Sequence, residues 1–200
     1  MFTVPSHPLD AVFARTLTDV KIEDPQSLRD AIRKLHEEYQ VPNVVVSSIP
    51  MKPWLAEFLP EEVPKGELTD LLCISSSRNS PGNPVVHACT VPLIPGYFSG
   101  VGDLFSALVL AHFDPDGESP LPDAVGKALS KTHCIVQLTN DHAQGLDEAD
   151  RTTTDDELDK KDPMRLVRRM RGRELRLIQG QNIIRGKGSS REMKAWERFW

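Results

Sequence analysis

The feature that most constrains this chain is a glycine turn feeding an apolar helix at residues 96–111, GYFSGVGDLFSALVLA. Gly100 and Gly102 allow backbone conformations and close approaches that a side chain would forbid. The run LFSALVLAHF that follows has the composition of a helix with little to show to water. The first N–H groups of such a helix have no intrahelical partners and carry the positive end of its dipole. Together with the loop amides they form a cradle for an anion such as a phosphoryl group. Asp103 stands beside that cradle. A carboxylate there can accept a proton from a substrate hydroxyl as its oxygen attacks phosphorus. On four letters alone, a Gly-Asp helix start in which Asp merely caps the helix is the better reading.

The segments on either side give the turn its context. Residues 24–39 predict an amphipathic helix, with Asp24 as cap, Pro25 at the first helical position, and Leu28, Ile32 and Leu35 on one side. Val44, Val45 and Val46 follow as a short apolar run between Pro42 and two serines, which predicts a strand buried on both faces. Residues 67–77 and VVHACTVPLI predict a hairpin around the turn RNSPGNP. Residues 121–138 predict a helix whose inner face is Ala124, Val125, Ala128, Leu129, Thr132, Ile135 and Val136. Residues 144–163 are mostly acidic and polar and predict a mobile insert. The basic run MRLVRRMRGR reads as a solvated face balancing that insert, since no aromatic residues interleave its arginines. RELRLIQGQNII, with Leu175 and Leu177 at alternate positions, predicts a last strand.

Composition excludes several classes. A 200-residue chain that is 39 % hydrophobic and 26 % charged is that of one globular domain. Its net charge of −5 leaves no global footprint for nucleic acid or an anionic membrane. Cys73, Cys89 and Cys134 form no CxxC pair, so they signal neither zinc nor redox chemistry and read as small buried or half-buried residues. No stretch reaches the length of a membrane span and the N-terminus lacks the pattern of a signal peptide, so the expected location is cytoplasmic.

The flanks of the turn resemble the pyridoxal (vitamin B6) kinases of the ribokinase-like superfamily. In that family a glycine–threonine–glycine–aspartate turn opens a long apolar helix, as FSGVGDLFSALVLA does here. Three further segments resemble the family in the same order: LTDVKIEDPQSLRDAIRKLHEEYQVPNVVVSS, LPDAVGKALSKTHCIVQLT and RELRLIQGQNII. The resemblance covers most of residues 16–184. It implies an α/β fold, the C-terminal portion of a three-layer α/β/α domain over residues 16–200, preceded by an atypical segment 1–15.

The resemblance also implies an activity and a site. The reaction is transfer of the γ-phosphoryl of ATP to the 5′-hydroxyl of pyridoxal, pyridoxine or pyridoxamine, with Mg²⁺ and a monovalent cation such as K⁺, in a homodimer. Asp103 matches the catalytic base, and the amides of Gly100, Val101, Gly102 and Asp103 match the anion hole. Ser47 and Ser48 match a strand-end hydroxyl pair that contacts the ATP phosphates, and read by themselves are loop serines. Ile94 and Phe98 match the nucleotide-pocket wall, and read by themselves are core residues.

The chain departs from the family in two places. Val101 stands where threonine is common. The first half of the family, with most of the pyridoxal pocket, has no counterpart; SHPLDAVFAR occupies the place of its Asn-x-x-Glu motif. Half a sheet leaves an unpaired edge and an apolar face that a partner should cover. Two rival readings stand beside the kinase. One is a ribokinase-like kinase for another small alcohol, which Arg173-Glu174-Leu175-Arg176-Leu177 disfavours. The other is a non-catalytic nucleotide-binding fragment.

Overall fold

The computed structural model describes residues 2–4, 18–64, 70–78, 82–151, 156–186, 188 and 190–200. Most of the atypical segment 1–15, part of the hairpin turn and residues 152–155 of the acidic segment lie outside the described residues. The elements run β1 (Phe2–Val4), α1 (Pro25–Glu37), β2 (Asn43–Pro50), α2 (Pro53–Phe58), β3 (Asp70–Ser77), β4 (Val85–Pro92), α3 (Val101–His112) and α4 (Pro120–Gln144). Then come α5 (Glu148–Arg151), α6 (Asp156–Lys161), α7 (Met164–Gly172), α8 (Gln181–Arg185) and β5 (Lys194–Ala195). The chain divides into two compact units: Met1–Leu93, Gly102–Ser130 and Ser189–Trp200 form the first, and Ile94–Val101 with Lys131–Gly188 the second.

The first unit holds a five-stranded sheet in the order β1-β2-β3-β4-β5. The expected hairpin is present as β3 and β4, in antiparallel register from Asp70↔Pro92 to Ser77↔Val85. β2 is buried on both faces from Val44 to Ile49, as its valine run predicts. Its pairing with β3 is nevertheless antiparallel, and among the described residues only the three of β1 run parallel to it.

α1 begins where the sequence places it. The Ser27 amide donates to Asp24 Oδ1 at 2.7 Å and the Asp24 amide donates to Ser27 Oγ at 3.0 Å, a reciprocal capping box. The hydrogen bond from the Ser27 backbone holds the Asp24 carboxyl below its ordinary pKa. Leu28, Ala31, Ile32 and Leu35 enter a core with Val44, Val46, Ile49, Leu55, Leu72 and Ile74. His36, on the same helix, is buried with Nδ1 2.7 Å from the Val41 carbonyl oxygen and Nε2 2.8 Å from Ser76 Oγ. A carbonyl can only accept, so Nδ1 donates and the neutral Nε2 accepts from the Ser76 hydroxyl. Burial pushes the pKa of this ring down.

The C-terminal residues complete that core. Trp196, Phe199 and Trp200 pack in series, with ring centroids 5.0 Å and 4.9 Å apart, and Phe58 of α2 lies 4.8 Å from Trp196. Arg29 stacks over Phe58 at 4.7 Å while its Nε donates to the Phe199 carbonyl, and Arg33 stacks over Trp200 at 5.4 Å. Gly126 lets α4 meet this terminal segment: a Cβ there would lie 2.0 Å from the Arg191 carbonyl oxygen.

In the second unit α4 buries Thr132, Ile135 and Val136, three of the residues its inner face predicts; the other four are buried in the first unit. Cys134 is exposed, whereas Cys73 and Cys89 are buried. The segment expected to be a mobile insert, 144–163, carries α5 and α6. Three of its aspartates pair with arginines of α7: Arg168 is bidentate to Asp150 at 2.9 and 3.1 Å and reaches Asp162 at 2.7 Å, and Arg165 and Arg169 both bind Asp159. Arg165 and Arg169 are buried while Arg168 and Arg171 are exposed, so the basic run keeps a solvated face and also balances the acidic segment by direct contact.

The strand expected at RELRLIQGQNII does not form. Glu174 makes a single parallel bridge to Ser99, and residues 181–185 are helical. The backbone amides there are taken by turns: Leu177 donates to the Leu175 carbonyl at 2.8 Å and Gly180 to the Arg176 carbonyl at 2.8 Å. The Arg176 amide is held at 3.1 Å by Thr139 Oγ1. Alternating leucines gave a strand-like period with no neighbouring ladder to receive it.

Candidate active site

The glycine turn has the backbone its sequence predicts. Gly100 sits at φ +83°, in the left-handed region that favours glycine, and α3 starts at the next residue. Val101 and Gly102 are half-buried, and Asp103 lies exposed in the first turn of α3. The free N–H groups of that first turn and the flexible glycine ahead of it are the parts an anion cradle needs.

Within the second unit, residues 94–101 are braced by the segment whose strand failed to form. Gly96 sits at φ +126°, and a Cβ there would lie 1.9 Å from Nη1 of Arg173. The same guanidinium lies 5.6 Å from the centroid of Phe98, which is buried. Ser99 bridges Glu174, and a Leu175 methyl lies 3.9 Å from where a Cβ on Gly100 would stand. Arg173-Glu174-Leu175 therefore lines up beside the glycine loop residue by residue. Two segments that resembled the same family separately in sequence are brought together here. Arg173 is the residue that sequence reading left out of the site. Its only sequence signal was membership of the RELRL run, and its contact with Gly96 is set by packing. Phe98 is buried under that arginine, while Ile94 is half-buried.

Ser47 and Ser48 belong to the first unit. They are neither loop residues nor at the strand end: both are buried within β2, which continues to Pro50. The register between β2 and β3 shifts between Val46 and Ile49, so the two serines occupy the irregularity. Such a bulge re-aims side chains relative to the ladder and is frequent beside active sites.

Among the described residues, no group of three His, Cys, Asp or Glu side chains could hold a metal ion. A cavity of about 720 Å³ in the first unit, lined by Glu57, Phe58, Glu61, Lys194 and Trp196, contains none of the predicted site residues.

No family model matches the chain. A protein of Schizosaccharomyces pombe named "Putative pyridoxal kinase" is 34 % identical over 143 residues, which cover 66 % of this chain and 41 % of that protein. The chain is similar to pyridoxal kinases in both comparisons. A Saccharomyces cerevisiae protein with the same description is 27 % identical over 82 % of this chain and 44 % of its own length. The pyridoxal kinase of Leishmania donovani in complex with ADP superposes with a TM-score of 0.62 at 22 % identity, covering 91 % of this chain and 49 % of that one. That of Trypanosoma brucei gives 0.61 at 18 % identity over 92 % and 49 %. The fold is thus α/β, part of a ribokinase-like domain. The chain spans about half the length of these pyridoxal kinase relatives. No helix among the described residues is long and apolar enough to cross a membrane.

Proposed function

We propose that this chain is the ATP-binding part of an enzyme that phosphorylates the 5′-hydroxyl of pyridoxal, pyridoxine or pyridoxamine. The observation that carries the reading is Gly100 at positive φ, directly ahead of a helix whose first turn exposes Asp103. In this reading the amides of Gly100, Val101 and Gly102 hold the γ-phosphate and offset charge that develops on it. Because these are main-chain groups, valine in place of threonine at position 101 leaves the cradle intact. Asp103 takes the proton from the vitamer hydroxyl as that oxygen attacks phosphorus. Ser47 and Ser48, re-aimed by the irregularity in β2, donate hydroxyl hydrogen bonds to the ATP phosphates. Phe98, stiffened by Arg173, and Ile94 give the nucleotide an apolar wall.

Residues 16–200 act as one C-terminal kinase portion, with 1–15 outside it and 144–163 as an insert. Mg²⁺ supplies charge neutralisation at the phosphates when bound, and K⁺, a cytoplasmic location and a homodimer belong to the same reading of the intact enzyme. Relatives crystallised with ADP and with pyridoxine or pyridoxamine support the substrate class.

The test is thermal unfolding with and without MgATP, together with an assay for pyridoxal 5′-phosphate. The expected result is stabilisation by MgATP, and product formation that Asp103→Ala abolishes wherever the complete fold is present. Turnover that survives Asp103→Ala would reject the mechanism, and a preference for ribose over pyridoxal would reject the substrate. One alternative is a non-catalytic nucleotide-binding protein without turnover of its own. That reading expects stabilisation by MgATP and no product.

A further inference from the structure

Three arginines of α7 are matched to aspartates. Arg168 holds Asp150 and Asp162, and Arg165 and Arg169 share Asp159. Arg173, just past the end of that helix, is placed differently. Its backbone amide donates to the Met170 carbonyl oxygen at 3.0 Å. Among the described residues its guanidinium makes no ion pair and no hydrogen bond. The side chain is half-buried, so it gives up part of its hydration with no carboxylate in return.

The glycine loop holds this guanidinium in place. Its central carbon stands 5.6 Å from the centroid of the Phe98 ring. Gly96, at φ +126°, leaves open the space that Nη1 fills, since a Cβ there would lie 1.9 Å from that atom. Stacking occupies a face of the planar group and leaves its N–H edge free to donate. Gly96, Ser99 and Gly100 are exposed, so the loop is open to a ligand from solvent. Further along the same loop, and in the same unit, Gly100 and Val101 supply amides of the anion cradle. A fork of donors without an acceptor, beside a loop that ends in such a cradle, suits a second anionic group.

We propose that Arg173 binds the α- and β-phosphates of the nucleotide, while the amides of the glycine turn hold the γ-phosphate. The assignment rests on the kinase reading above and adds a side chain to that site. The anchoring supports the division of labour. The guanidinium is fixed at Gly96 and Phe98, ahead of the turn at Gly100 and beside the apolar wall given to the base. The phosphates that join the ribose to the γ-phosphate would run between that wall and the turn. Stacking on Phe98 therefore does two things: it stiffens the wall, and it aims the free N–H edge before the ligand arrives.

The experiment measures the affinity of the 200-residue chain for MgATP, MgADP and adenosine by displacement of a fluorescent ATP analogue. Parent, Arg173→Gln and Arg173→Lys are compared. Arg173→Gln should weaken MgATP and MgADP alike, by about tenfold or more, and leave adenosine within about twofold. Arg173→Lys keeps the charge but not the planar fork, and should recover part of the loss. Both variants should melt cooperatively without nucleotide, since the side chain has no hydrogen bond to lose. An equal loss for adenosine and MgADP would make Arg173 a brace of the pocket and overturn the proposal. So would a variant that no longer folds. A loss confined to MgATP would put the guanidinium on the γ-phosphate and overturn the assignment to the other two. The kinase reading fails separately: a parent chain that binds no MgATP sinks that reading and this proposal together. Parent-like MgADP binding by Arg173→Gln sinks the proposal alone.

Discussion

Phe199→Ala tests whether the C-terminal residues are part of the core. Phe199 is fully buried, contacts Trp196 and Trp200 edge-on at 5.0 and 4.9 Å, and lies 6.0 Å from Phe58. Removing a buried aromatic ring costs about 3–5 kcal/mol in lost transfer energy and cavity formation. For a chain of this size each kcal/mol moves the melting temperature by about 2–4 °C, so the expected drop is roughly 6–20 °C. The Arg29 contact to the Phe199 carbonyl survives the change, because it is made to the backbone. Phe199→Leu, which refills most of the volume, should recover more than half of the loss. All three tryptophans, Trp54, Trp196 and Trp200, lie in the first unit, so their fluorescence reports its unfolding directly. A Phe199→Ala protein melting within about 2 °C of the parent would refute the packing argument.

The His36 ring is held neutral by burial, and its pKa in the fold is depressed below 6.5. The unfolded chain then binds the extra proton first, so this residue's contribution is complete above pH 6.5 and is lost as pH falls through the folded pKa. The slope is at most about 1.4 kcal/mol per pH unit. His87 shifts in the same direction through burial, so the contribution of His36 is the difference between denaturation curves of parent and His36→Gln across pH 7.5 to 5; parallel curves would reject the assignment. Gly100→Ala should cost about 1–2 kcal/mol from backbone strain alone, since the nearest atom to the new methyl is 3.9 Å away, and should lower product formation in the complete enzyme. Gly126→Ala should cost about 1–3 kcal/mol by denaturant titration, because its methyl would meet the Arg191 carbonyl at 2.0 Å.

Local signals carried far along this chain. The Asp24–Pro25 start, the hairpin of β3 and β4, and the inner face of α4 each follow from a few neighbouring residues with one period. The glycine turn before α3 was legible for the same reason: Gly100 adopts positive φ where its sequence allowed it. Sequence reading went astray where partners distant in the chain decide the outcome. Residues 173–177 had a strand's alternation but no ladder to join. The acidic run reads as a mobile insert, yet Asp159 pairs with Arg165 and Arg169 of the basic run in direct contact.

By itself, then, the amino-acid order determined the capped start of α1, the hairpin of β3 and β4, the inner face of α4 and the place of the glycine turn before α3. Tertiary structure alone decided that Ser47 and Ser48 sit in an irregularity of a buried strand, and that Arg173 braces Gly96 and Phe98. It also decided that the terminal tryptophans close the core. The reason is physical: a period or a cap is written over a few adjacent residues, whereas a register shift or a stacked guanidinium depends on which remote surface arrives beside it.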